Sequence, residues 1–552
     1  MLTFRLCAAD IGASWRSTKD GFECGESHIQ PFRHNALEEV AIASGSRFLV
    51  FVRERSTGVS RPELVAGVQT GQLIAVDDER FDLLARELQN WPLQWQMLII
   101  NDPSRVDSGN SQPVLATIEV GHWGTAPTFF VTDRGNLWGH WDAGQLLPLL
   151  SRKSLDPVRA ARYIAEYANP YARNTLFRGL QLLTERARAV WAGQAGCETL
   201  SIAYPTPWHR PRAGVLREGT DPVLAFETIL SSSLHRWTHI SEEHLGTELS
   251  GGRDSAIVAS RASALFGKRL RSYGIALMGL SSEDQSTRRA ELAKRFGLID
   301  TEISIESLLP LAPGSCRLDG RVPVLPWEEG YYEVFDELLA HASANGTKVM
   351  LTGFGGDELC GLRPSEIRAM RGDSHGAMMS EESPEMAPSF LTPNARATLS
   401  EALDLPPRAA SSDSAVECAA LSAARYMRRG IWPVHPLCTP ELVHFCARLP
   451  VEWRYRRKIE RDLLTRRGCS QSITHPRHQD DFSWALATTL RGPARPLVKQ
   501  LFADSVLHEF GIVDGHQMML AYDDWCERGH LDQAVQYFAV AVTELCLLSM
   551  RP

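Results

Sequence analysis

The sequence predicts an α/β protein in two parts, a strand-rich first part and a second part built on a parallel sheet, and three observations predict it. Residues 1 to about 200 carry short β-branched or aromatic runs separated by Gly, Pro and Asp. From about residue 223 strand-like and helix-like patterns alternate, which argues for parallel strands with ligands at their carboxyl ends. Two of those later strands run into glycine-rich turns that end in acids, at residues 250–255 and 352–358.

In chain order, the first part holds the strand runs RFLVFV (47–52), QMLII (96–100), VLATIEV (114–120) and TFFVTD (128–133). At 552 residues the chain exceeds one ordinary core. The Pro-, Gly- and charge-rich text YPTPWHRPRAGVLREGTD (204–221) is where a connection is expected, dividing the chain into domains 1–205 and 215–552. Beyond it, VLAFETILSSSLHRW reads as a helix, HLGTEL as a strand and DSAIVASRASALFG as a helix. A second pair is RSYGIALMG (271–279) with helix TRRAELAKRFG (287–297). A third runs from helix YYEVFDELLAHASANG into strand TKVMLTGFG (347–355). From about 410 the pattern is mostly helical, and no internal repeat is present.

Composition excludes several classes. A formal net charge of −8 and a pI near 6.1 argue against a protein held to nucleic acid by phosphate neutralisation. The eleven cysteines are scattered and never spaced C-x-x-C, so neither a zinc site nor a disulfide framework is expected. No apolar run is long enough to span a bilayer, and a cytoplasmic location without membrane attachment is expected.

The first turn, Leu249 followed by Ser-Gly-Gly-Arg-Asp-Ser, joins a strand to a helix and so presents backbone N–H groups as an anion site. Gly251 and Gly252 can take positive φ and permit close backbone approach to a phosphate, and the hydroxyls of Ser250 and Ser255 add donors. Asp254 beside bound phosphates implies a hard divalent cation such as Mg²⁺. Ordinary helix capping by Ser and Asp is the alternative. The second turn, Thr352-Gly353-Phe354-Gly355-Gly356-Asp357-Glu358, repeats the design, and on a neighbouring parallel strand Asp357 would share Mg²⁺ with Asp254 over the phosphates of ATP.

These two turns resemble the asparagine synthetase and β-lactam synthetase superfamily, whose pyrophosphate loop is SGGxDS and whose second loop is [ST]GxGxDE. GIWPVHPLCTPELVHFCARLP (430–450) looks like the family's PFLD segment, and the likeness covers roughly residues 115–485. The resemblance implies a PP-loop ATP pyrophosphatase-type synthetase domain behind a degenerate Ntn-type, class II glutamine amidotransferase-like domain. It also implies ATP and Mg²⁺, with adenylation of a carboxylate followed by attack of an amine. Leu249, Ser250, Gly251, Gly252, Asp254, Ser255, Gly353 and Phe354 would hold the nucleotide and pyrophosphate. Asp254 and Asp357 would bind metal and take part in catalysis together with Arg477, which stands where relatives carry a lysine.

Three departures narrow the implied chemistry. Glutamine-dependent relatives use a cysteine at the amino terminus, whereas residue 2 here is Leu and Cys7 is internal. Position 354 is Phe, without the proton-exchanging group of its relatives. Arg477 is effectively always protonated and cannot act as a base; His475 and His478 are nearby candidates for proton transfer. The pattern is most like a lasso-peptide macrolactam cyclase, which joins an Asp or Glu side chain to a peptide's amino-terminal amine. The expected partners are a peptide, or a small carboxylate and amine, with leader-peptide-binding and protease proteins of such a pathway. An asparagine synthetase, a β-lactam-type synthetase and a catalytically dead nucleotide-binding relative remain the alternatives. Trp327-Glu328-Glu329 is expected as an acid cluster at a helix start, with a place in a substrate pocket as the alternative, and RYRRK (454–458) as a solvated basic face, with attraction of an acidic peptide as the alternative.

Overall fold

A computed structural model describes the chain except residues 58–72, 103–112, 122, 168–170, 194–196, 268, 372–386 and 479. The first part forms two seven-stranded sheets. One is centred on strands Leu2–Cys7 and Asn136–His140; the other is centred on Arg47–Glu54, Trp95–Asn101 and Val114–Val120. Pairing is antiparallel throughout apart from Leu37–Ala43 with Leu73–Ala75. The sheets share one apolar filling: Phe4, Leu6, Phe22 and Ile29 from the first meet Phe48, Val50, Leu98 and Ile100 from the second. Alternating burial along Leu2–Cys7 and Ser27–Pro31 is what a two-residue side-chain period produces when only one face is covered. Residues 204–217 form no regular element.

The second part is built on a five-stranded parallel sheet in the order Ile299–Ser304, Arg271–Ala276, Leu245–Glu248, Val349–Leu351, Trp432–Val434. In chain order that is 3-2-1-4-5, so the connections leave the first strand in one direction and the fourth in the other. The crevice between such a pair, outside their carboxyl ends, is the place where open α/β sheets take ligands. The inner strands are buried along their length, as helices on both faces require. Helices Arg253–Phe266, Ser282–Phe296 and Tyr332–Ala344 connect the strands.

Two strands depart from the sequence expectation. Ile299–Ser304 is an edge strand whose Ile299, Asp300 and Glu302 are exposed, so it shows no apolar run. Trp432–Val434 contains Pro433, which a sheet tolerates at its edge, and it too is an edge strand. The carboxy-terminal helices, including the buried Ala534–Ser549, pack on helix Pro157–Glu166 of the first part. One core therefore contains Phe129 and Ile164 together with Leu486 and Phe538. No helix among the described residues is long and apolar enough to cross a membrane.

Candidate active site

The glycine-rich turns follow the first and fourth parallel strands, which are hydrogen-bonded neighbours. They meet at the switch point. Gly251 and Gly355 both adopt φ of 87°, a conformation that costs a side-chain-bearing residue steric energy. The turns also touch: a Cβ on Gly353 would lie 2.9 Å from the Ser255 N, and one on Gly356 would overlap the Asp254 carboxyl group. Only glycine permits this approach.

The first turn is closed on itself and tied to the protein body. The Ser250 N–H donates to Ser255 Oγ at 3.1 Å, and the Gly252 N–H donates to Ser250 Oγ at 3.1 Å. Gln285 Nε2 donates to the Ser250 carbonyl at 2.8 Å and Arg288 Nε to the Gly251 carbonyl at 3.1 Å. Arg288 is in turn paired with Asp480 at 2.5 Å. The helix starting at Arg253 has the unpaired first-turn N–H groups of any helix start, here beside the two serines.

Between the turns lies Arg457. It is ion-paired to both Asp254 and Asp357, and its Nε donates to Glu460 at 2.6 Å. Arg456 and Arg457 are in the left-handed region, at φ of 48° and 57°, a bend that projects the guanidinium from the start of helix Lys458–Arg466. The expectation of a solvated face for RYRRK holds for Tyr455 and Arg456, which are exposed, and is corrected for Arg454 and Arg457. Arg454 is buried against Glu366 and the Leu449 carbonyl, and Arg457 retains 14% of its side-chain exposure. Charge run and exposure parted here because carboxylates on facing elements, Asp254, Asp357 and Glu366, pair with Arg457 and Arg454, which a linear reading cannot see.

Around the turns is a chamber of about 420 Å³ lined by Leu249, Ser250, Asp254, Ser255, Gly353, Phe354 and Asp357 and, on the apolar side, by Tyr273, Ile275, Phe335 and Phe482. The volume and mixed lining suit a nucleotide. Two carboxylates gripped by a single guanidinium are close enough to share a cation, and oxygen donors suit Mg²⁺, which takes one or two carboxylates and completes its shell with phosphates and water. Among the described residues there is no group of three or more metal-binding side chains, so phosphate oxygens would have to supply the remaining ligands. Glu248 also lines the chamber; burial raises its carboxyl, which accepts a hydrogen bond from the Tyr426 hydroxyl.

The structure thus gathers every expected nucleotide residue except Gly251 and Gly252 into the chamber lining, and those two form the turn beneath it. Arg477 is not brought in. It is exposed, three residues before the chamber residue Asp480, and His475 and His478 are exposed with it. Phe354 stacks on His435 with ring centroids 5.3 Å apart. Burial pushes that imidazole down to about 3, so it stays uncharged at neutral pH. Sequence reasoning missed Gln285, Arg288, Asp480 and Arg457. A signal existed for one other position: Glu248 is an acid in an otherwise apolar strand end.

Trp327-Glu328-Glu329 lies just before helix Tyr332–Ala344, with Glu329 exposed, and it also lines a chamber, as the pocket alternative has it. Glu328 is buried beside Arg428, at 2.8 Å, and burial pushes its carboxyl up to about 7. It lines a second, smaller chamber that shares Phe354 and Cys418 with the first.

Comparison with known proteins agrees with the site. The family model described as asparagine synthase matches residues 225–547, more than half of the chain. No curated protein matches it. Among solved structures, the U34-tRNA thiolase NcsA from Methanococcus maripaludis is similar at 10% identity and a TM-score of 0.25, over 55% of this chain and 80% of that one. The NH3-dependent NAD synthetase from Campylobacter jejuni is similar at 15% identity and a TM-score of 0.20, over 28% and 73%. At those scores neither structure carries an argument about this one.

Proposed function

Because the chain belongs to the asparagine synthase family, we propose that it is an ATP-dependent C–N ligase that closes a macrolactam in a lasso precursor peptide. In the first step a carboxylate oxygen of an Asp or Glu side chain attacks the α-phosphorus of ATP, giving the acyl-adenylate and pyrophosphate. In the second, the peptide's amino-terminal amine attacks the activated carbonyl, giving the amide, AMP and a proton. The observation that carries the ligase reading is the convergence of Asp254 and Asp357 on one guanidinium at the switch point, directly over the closed Ser250–Ser255 hydrogen-bond ring.

Each residue has a task under this reading. The first-turn N–H groups and the hydroxyls of Ser250 and Ser255 hold the departing pyrophosphate; Gln285 and Arg288 keep that turn from relaxing. Asp254 and Asp357 would hold Mg²⁺, which when bound neutralises phosphate charge. Arg477, outside the chamber, would have to fold inward to reach the phosphates; the guanidinium already between the aspartates is that of Arg457. The finer step, from ligase to peptide cyclase, is supported by Leu2 and Phe354. Leu2 is fully buried in its strand with its N–H donated to Gln96 at 2.8 Å, and Phe354 offers no proton acceptor. We read the two largely antiparallel sheets as a glutamine amidotransferase-type domain, 1–205, in front of the synthetase domain, 215–552. Holding a folded peptide so that amine and carbonyl meet is then the main catalytic burden. Leader-peptide-binding and protease proteins are the partners such a pathway requires.

The test is to incubate the protein with ATP, Mg²⁺ and a peptide with a small first residue and an Asp or Glu a few positions on. Loss of one water from the peptide, matched by AMP and pyrophosphate, is expected. Conversion of free aspartate to asparagine with glutamine or ammonia, and none of the peptide, would replace the cyclase reading with an asparagine synthetase.

A further inference from the structure

The second chamber has a volume of about 250 Å³ and is lined by Tyr163, Tyr167, Glu328, Glu329, Cys418 and Arg425, among others. Through Phe354 and Cys418 it adjoins the chamber that holds the phosphate turns. Two of its groups are buried without the hydrogen bonds their chemistry asks for. Glu328 is 6% exposed; its Oε1 faces Arg428, and its Oε2 takes no hydrogen bond from any described residue. Arg425 is 3% exposed, its guanidinium lies 4.1 Å from the Phe335 ring centroid, and its Nε donates no hydrogen bond.

A buried acceptor and a buried donor left open in one cavity each carry a desolvation cost that a ligand can remove. We propose that this chamber receives the α-aminoacyl end of the acceptor, a free primary ammonium group together with the carbonyl one carbon away. The proposal rests on the ligase reading above and names where its amine enters. The ammonium donates to Glu328, and the neighbouring carbonyl oxygen accepts from Arg425. Arg428 already pairs with Glu328, and Glu329 and Glu417 line the same cavity with Arg425, so three carboxylates still outnumber two guanidiniums and a cation is favoured over a carboxylate. Ammonia would answer Glu328 and leave Arg425 unmatched.

The first part of the chain shapes this chamber. Tyr163, from helix Pro157–Glu166, donates its hydroxyl to the Pro326 carbonyl and so fixes the segment that carries Glu328. Tyr167 ends that helix at φ of 49°, and its hydroxyl stands 2.8 Å from where a Gly330 Cβ would be. The first part of the chain thereby serves as a wall of the acceptor site.

The experiment uses the full chain, with glycinamide as the probe and N-acetylglycinamide, which has no ammonium, as the control. Binding is followed by ligand-observed NMR, and binding of Mg²⁺-ATP is measured separately. Glycinamide is expected to bind the natural chain and N-acetylglycinamide not. Glu328→Gln should weaken glycinamide by about tenfold or more, the equivalent of losing one charge-assisted hydrogen bond. Ser422→Phe, which fills the chamber from a residue that lines it, should abolish glycinamide binding and leave Mg²⁺-ATP binding within about twofold. Equal binding of the two probes, no binding of glycinamide, or undiminished binding in both variants would overturn the proposal. Glycinamide binding as expected in a chain that does not bind Mg²⁺-ATP would overturn the ligase reading and leave the chamber assignment standing.

Discussion

The two glycine-rich turns that flank the switch point are both tied to the protein body, the second through Thr352 Oγ1 on His435 and Cys438 Sγ on the Phe354 carbonyl, but they leave their aspartates differently exposed. Residues 250–255 are held on every side, by Gln285 and Arg288 on the carbonyls and by Ser255 on Ser250. Residues 352–358 leave the Asp357 side chain 80% exposed and anchor it through a guanidinium it shares with Asp254. The difference separates two tasks. A backbone cradle for an anion works best when set before the ligand arrives. A carboxylate that is to meet a metal only when the nucleotide brings it is better held by a cation the metal can displace.

That contrast can be broken most directly at Asp254. Asp254→Asn should cut carboxylate-dependent pyrophosphate release by about a thousandfold with an unchanged circular dichroism spectrum; full activity would mean that the two turns do not share a metal. Next in size is Gly356→Ala, whose methyl group would push the Asp254 carboxyl out of place. A displacement of this kind is expected to cost about a hundredfold in kcat/KM, and a variant as active as the natural chain would show that the close approach has no role.

Arg288→Ala probes the rigid turn. It unpairs Asp480 and releases the Gly251 carbonyl, so the KM for ATP should rise about tenfold with little change in kcat; a pure loss of kcat would assign Arg288 to chemistry instead of positioning. Arg457→Gln probes the adaptable one. Removing the competing cation should lower the Mg²⁺ concentration for half-maximal activity by about threefold, the size of a partly exposed ion pair; an increased Mg²⁺ requirement would make Arg457 a partner of the phosphates and not a placeholder. Smallest of all, Cys7→Ala, remote from both turns, should change synthesis by less than about twofold, and loss of a glutamine-dependent activity there would revive the amidotransferase reading.

Much of the fold was legible because its signals are local. VLATIEV and TFFVTD are strands over the residues read, and the helix after Ser-Gly-Gly begins at Arg253. Glycine at 251 and 252 could be read as a need for positive φ; Gly251 has it, at 87°, whereas Gly252 is extended at φ of −82° and caps the helix. The illegible elements lack such signals. Ile299–Ser304 has no apolar face to show, and Trp432–Val434 is three residues long with a proline inside it. At the site, Ser250, Asp254 and Phe354 could be named from spacing, whereas Arg457 sat in a charge run that reads as solvated.

By itself, the sequence determined the turns, the acids within them and the class of chemistry they permit, because a phosphate cradle is made by consecutive backbone groups and a few adjacent side chains. Only the tertiary structure decided which distant groups complete the site. Arg457 reaches across roughly two hundred residues to Asp254, Arg288 is sandwiched between Gly251 and Asp480, and Glu328 is buried beneath tyrosines of the first part. The physical reason is that a charge is held inside a protein by partners that come from other elements, and which partners meet is set by the packing of those elements and not by their order in the chain.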